Sequence, residues 1–195
     1  MTRIHTLLRT SLTMLALAIT PGIAAEERWF AGAAAGRADF DDGRFTAEDR
    51  FLRAAAGRRL NTFLAVEGAW IDVGEARDVV AGSGEVSLGQ DTLTVRGRGL
   101  TLGPVLSWRP VAPLGLSLRL GLSVLDVDRR WSGGTVVDPD LAADAGGTDS
   151  GFFAGARIAG RLGDAFSVGL NLDRYELGNL DVDATYVDVR FHFQR

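Results

Sequence analysis

Apolar side chains recur at every second position through much of this chain, and a period of two excludes an amphipathic helix wherever it holds. Phe166, Val168, Leu170 and Leu172 share one face, opposite Ser167, Gly169, Asn171 and Asp173. Leu116, Leu118, Leu120, Leu122 and Val124 oppose Ser117, Arg119, Gly121 and Ser123. Thr185, Val187, Val189, Phe191 and Phe193 oppose Ala184, Tyr186, Asp188, Arg190 and His192. Extending this reading predicts eight strands, near 29–39, 49–58, 62–73, 93–108, 114–129, 151–161, 166–177 and 181–193. The glycine- and alanine-rich stretch 29–39 carries the weakest alternation.

The connections add a second pattern. Residues 40–48, 74–92 and 130–150 are polar and read as long loops. Between them lie short turns at Arg59-Leu60-Asn61, Arg109-Pro110-Val111-Ala112-Pro113 and Leu162-Gly163-Asp164-Ala165. Long and short therefore alternate, as they do in bacterial outer-membrane barrels with short periplasmic turns and longer outer loops. The last connection, Gly178-Asn179-Leu180, breaks the alternation by being short.

The first 25 residues read as an address. Arg3 and Arg9 form a positive start, and Leu12 to Ile19 form a short apolar run. Pro21-Gly22 breaks any helix there, and Ala24 and Ala25 offer small residues before Glu26. This is the pattern of a secretory signal peptide over 1–25, with cleavage after Ala24 or Ala25, leaving one domain over 26–195. The run is far shorter than the roughly 20 apolar residues a spanning helix needs. No cysteine follows the site, which excludes a lipoprotein anchor. No later segment is long and apolar enough either. A mature chain that enters lipid must then satisfy its backbone as a closed barrel.

Alternation alone leaves the sense of the barrel open, because a soluble lipocalin-like barrel turns its apolar face inward. Two features favour the opposite sense. The polar face is mostly small (Ser117, Gly121, Ser123, Gly155, Gly169), which suits an eight-stranded interior just wide enough to be filled by side chains. Aromatic residues also gather at strand ends. Trp29, Phe63, Trp108, Phe166 and Phe193 fall near the short turns, and Trp70, Trp131 and Tyr175 near the long loops. Two such girdles are expected at the two membrane–water interfaces.

Charge excludes other classes. Without its first 25 residues the chain carries 25 acids against 19 arginines and no basic stripe, which argues against nucleic-acid binding. With no cysteine, disulfides, thiolate metal sites and cysteine nucleophiles are all excluded. All 21 basic residues are arginine, which reads as codon bias rather than chemistry.

The closing stretch 166–193, FSVGLNLDRYELGNLDVDATYVDVRFHF, resembles the last hairpin of the OmpA-like outer-membrane β-barrels. Residues 64–72, LAVEGAWID, resemble that family's third strand, and 151–157, GFFAGAR, its sixth. The resemblance implies an all-β, eight-stranded antiparallel up-and-down transmembrane barrel in the outer membrane of a Gram-negative bacterium. It also implies lipid and lipopolysaccharide as surroundings, handling by the barrel-assembly machinery, and a monomer. Gln194 and Arg195 follow Phe193, where such barrels usually end on the aromatic residue that the machinery reads. The chain also ends there, without the peptidoglycan-binding domain some relatives carry.

On this reading Glu67, Arg119, Arg157, Asp173, Asp188 and Arg190 point into the barrel and must pair, since unpaired buried charge is costly. They would form either a plug or a gate. No cofactor or metal is expected: the acids Asp126, Asp128, Asp138, Asp140, Asp144 and Asp149 lack EF-hand or repeat-type calcium spacing and read as a solvated loop. His192 is the only histidine after residue 25 and sits near a strand end, so no catalytic site is expected. The functional expectation is a structural or surface-interaction barrel, with a narrow passive channel and a soluble periplasmic binder as alternatives.

Overall fold

The computed structural model describes residues 28–41, 46–80, 91–111, 114–132, 146–177 and 180–193. They form eight strands: β1 (Arg28–Asp41), β2 (Thr46–Arg59), β3 (Leu64–Val80), β4 (Asp91–Val111), β5 (Leu114–Ser132), β6 (Gly146–Leu162), β7 (Phe166–Leu177) and β8 (Leu180–Phe193). Each strand pairs antiparallel with the next, and β1 pairs with β8, so the sheet closes with no free edge. Among the described residues no helix is long and apolar enough to cross a membrane.

The strands run beyond the expected ends. Residues 74–80, 91–92, 130–132 and 146–150, which polarity assigns to loops, are ladder. Their outward side chains are polar (Arg77, Arg130, Thr148), which hides them from a search for lipid-facing residues. On their inner face Ala76 is buried, continuing the buried run of Val73, Val95 and Val127 at the adjoining ends of β3, β4 and β5. The remainder of the three long loops, 42–45, 81–90 and 133–145, lies outside the described residues, as do the expected signal peptide, Asp138, Asp140 and Asp144.

The outer surface explains both halves of that pattern. Leu114, Leu116, Leu118, Leu120, Leu122 and Val124 line the outside of β5 and are all exposed. The next outward residues are Asp126 and Asp128. The same change falls at paired positions on neighbouring strands. Ala35 faces Leu52, Trp70 faces Leu100 and Leu100 faces Val124, while one step beyond, Asp72 faces Arg98 and Arg98 faces Asp126. On β7 and β8 the charged pair is Arg174 with Asp183. An apolar belt ending in a polar and largely charged ring thus encircles the barrel, with Ser150 and Thr148 at that level on β6. Ten steps from Leu114 to Val124 at about 3.3 Å each, tilted by about 40°, give roughly 25 Å, the height of a lipid-facing band.

Turn chemistry at the lower end is local. Asn61 Oδ1 accepts from the amides of Phe63 (2.8 Å) and Leu64 (2.7 Å), closing the β2–β3 turn. Above the belt a bulge interrupts β3 between Asp72 and Gly74. Gly74 has φ 85°, donates to Asp72 Oδ1 at 2.9 Å, and leaves no room for a Cβ beside the Asp49 carboxylate. The left-handed backbone alone makes Gly74→Ala cost about 1–2 kcal/mol, to be read as a lowered urea midpoint. An unchanged midpoint would mean that the bulge relaxes freely.

Candidate functional site

The inside of the barrel is built in two main layers, above a small apolar cluster of Phe30, Ala65 and Val105 at the lower end. The lower layer lies within the lipid-facing belt and is ionic. Arg53, Glu67, Arg119, Arg157, Asp173, Asp188 and Arg190 all point inward there and are buried. Glu67 meets Arg53 at 2.5 Å and Arg190 at 2.9 Å, with Arg119 at 3.9 Å. Asp173 accepts from Arg119 Nη2 at 2.6 Å, from the Tyr186 hydroxyl at 2.5 Å and from the Tyr175 hydroxyl at 3.1 Å. Asp188 accepts from Arg157 Nε at 2.9 Å, Arg190 Nε at 2.6 Å and Asn171 Nδ2 at 3.1 Å. Glycine makes the space: a Cβ at Gly155, across the ladder from Asp173, would collide with that carboxylate.

The six residues singled out from sequence therefore all lie in one network. Sequence reasoning missed Arg53, Asn171 and the two tyrosines. Arg53 sits in Arg50-Phe51-Leu52-Arg53, where polar and apolar residues do not alternate, so its face is not readable. A signal did exist in the need of Glu67 for a second cation.

The upper layer is apolar and was not anticipated; small and ionic residues were expected throughout the interior. Phe40, Phe51, Ile71, Val73, Val95, Leu125, Val127, Phe153, Tyr175, Leu177, Val182 and Tyr186 are buried in one cluster. Phe51 stacks on Tyr186 (4.7 Å between ring centroids) and Phe153 on Tyr175 (5.8 Å). The tyrosines join the layers, with rings in the apolar cluster and hydroxyls on Asp173. Tyr175 is thus no girdle residue. It is fully buried because Asp173, Tyr175 and Leu177 all point inward on β7.

The other aromatics divide as follows. Trp29, Trp108, Phe166 and Phe193 are exposed at the lower end, and Trp70 is exposed at the upper edge of the belt. Arg58 lies over the Trp29 ring at 5.7 Å. The side chain of Trp131 lies outside the described residues.

His192 lies near the lower end of β8. Its Nε2 lies 3.0 Å from Ser167 Oγ, which also accepts from Arg157 Nη2 at 3.2 Å. Ser167 is buried, and Asp188, the carboxylate on this side, is occupied by Arg157 and Arg190. The pair satisfies buried polar atoms, and it lacks the access and the oriented base that a nucleophile needs. Among the described residues no cluster of carboxylates and histidine could hold a metal ion.

The closed eight-stranded ladder, with its apolar belt outside and its ion pairs inside, defines a transmembrane β-barrel of the outer-membrane kind. Solved structures of that class share the fold. The attachment invasion locus protein Ail of Yersinia pestis, in complex with the heparin analogue sucrose octasulfate, matches with TM-score 0.55 at 12% identity, over 87% of this chain and 100% of its own. Neisserial surface protein A matches with TM-score 0.56 at 14% identity, over 85% and 97%. The outer membrane protein OprG of Pseudomonas aeruginosa matches with TM-score 0.53 at 12% identity, over 89% and 99%. No protein-family model matches the chain, and no curated protein is similar to it in sequence.

Proposed function

We propose that this chain is a structural and surface-presenting barrel of the Gram-negative outer membrane, closed to solutes. On this reading residues 1–25 are a signal peptide and 26–195 the barrel, inserted by the assembly machinery as a monomer among lipid and lipopolysaccharide. It needs no cofactor and catalyses no reaction. The observation that carries the closed state is the pair of stacked seals, an aromatic and aliphatic layer above a network of salt bridges. An ion crossing it would have to leave water for an apolar layer after breaking buried pairs, each step costing several kcal/mol. Planar-bilayer recordings are expected to stay flat. Steady unitary conductance would overturn the closed reading in favour of a narrow channel.

The outer wall bears on what the surface could contact. Its described carboxylates include Asp39, Glu48, Asp126, Asp128, Asp181 and Asp183, and several of its arginines are already paired with them. Arg37 meets Glu48 at 3.0 Å, and Arg174 bonds both Asp181 and Asp183. A wall of this sign repels polyanions. The folded barrel is therefore expected to pass through a heparin column at physiological salt, in contrast to the sulfated-sugar complex of Ail. Retention until high salt would reverse that expectation.

A further inference from the structure

We infer that the lower rim of the barrel docks the phosphodiester headgroups of anionic phospholipids, of the phosphatidylglycerol type, in the leaflet that surrounds it. The inference rests on the membrane reading above and adds to it a lipid class. Two observations coincide at this rim.

The first is charge. Among the described residues the rim below the ionic layer carries five arginines, Arg28, Arg58, Arg59, Arg109 and Arg161, at the lower ends of β1, β2, β4 and β6. A single acid, Asp164 in the β6–β7 turn, stands at that level. Arg161 donates to the carbonyl oxygen of Asp164 at 2.6 Å, an acceptor without net charge. The upper wall is built the other way. There Arg37 meets Glu48, Arg130 meets Asp128, and Arg174 meets both Asp181 and Asp183. The barrel is positive at one end and acidic at the other.

The second is position. Trp29, Trp108, Phe166 and Phe193 are exposed at the lower edge of the apolar belt, the depth at which headgroups begin. Arg58 stands opposite Trp29 in the ladder and continues the outward run of Leu52, Ala54 and Ala56. Its guanidinium lies 5.7 Å from the Trp29 ring centroid, on the lipid-facing wall. A guanidinium offers paired N–H groups that match two oxygens of one phosphate. A zwitterionic headgroup brings its own ammonium and leaves the surplus of the rim in place, whereas an anionic one offsets it. The acidic upper wall repels phosphate, so the preference belongs to one leaflet.

The test places the folded barrel in phosphatidylcholine vesicles that carry increasing fractions of brominated phosphatidylglycerol or, for comparison, brominated phosphatidylcholine. Trp70→Phe with Trp131→Phe leaves Trp29 and Trp108 as the quenched reporters at the rim. Phosphatidylglycerol is expected to quench at the lower mole fraction, and the difference should shrink as salt rises. The chain carries a net charge of -4, so unspecific repulsion predicts the opposite order. Arg58→Gln with Arg161→Gln should weaken the preference by about fivefold or more. Arg37→Gln, at the opposite end, should leave it unchanged. The comparison of the two lipids stands even if the rim variant fails to fold. Equal quenching by both lipids, or a preference that Arg58→Gln with Arg161→Gln leaves intact, would overturn the inference while the barrel stays inserted. Displacement of the lipid by millimolar inorganic phosphate would also overturn it, making the rim a site for free phosphate. A chain that inserts into neither kind of vesicle would overturn the membrane reading together with it.

Discussion

Asp173→Ala is expected to cost the barrel about 3–5 kcal/mol, the usual penalty for removing one member of a buried ion pair. Arg119 is 1% exposed and meets this carboxylate at 2.6 Å, so removing it strands a cation in the lumen. Tyr175 and Tyr186 lose the acceptor of their hydroxyls in the same step, and their rings belong to the apolar seal above. Urea unfolding in lipid vesicles, followed by tryptophan fluorescence, gives the number directly. Replacing both members, Arg119→Met with Asp173→Leu, should recover much of the loss, because it is the stranded charge that is costly. A single-variant cost below about 1 kcal/mol would mean that water reaches this part of the lumen.

Leu120→Arg is expected to cost about 2–4 kcal/mol, and the cost should depend on depth. Leu120 is 56% exposed on the outside of β5, midway along the apolar stripe from Leu114 to Val124. Arginine at Leu114 or Val124, at the two ends of the same stripe, should cost about 0–1 kcal/mol. The same unfolding assay resolves the gradient. Equal costs at all three positions would mean that this stripe does not span a bilayer.

The strands and the sense of the barrel were legible because alternation is strong where one face meets lipid. On β7, Phe166, Val168, Leu170 and Leu172 are outward and Ser167, Asn171 and Asp173 buried, as the period of two requires. The apolar upper lumen was not legible, because there the pattern continues with its polarity reversed. In Val124-Leu125-Asp126-Val127-Asp128 the outward residues pass from Val124 to Asp126, while inward Leu125 and Val127 replace the small polar residues below. At that crossing both faces are apolar for one step, and beyond it the stretch resembles a polar loop. Tyr175 was misplaced for the same reason: proximity to a loop suggested a membrane interface, whereas strand parity sends its ring inward. Arg53 needed knowledge of register, since only pairing of β2 with β3 brings it to Glu67.

The reversal of polarity along the axis gives the barrel a single resting depth. Sinking it would drag Arg98, Asp126 and Arg174 into hydrocarbon; raising it would strip Leu118, Leu170 and Val187 of their lipid. Vertical drift is resisted in both directions without any anchor outside the wall itself, so the outer loops would be displayed at a constant height above the bilayer.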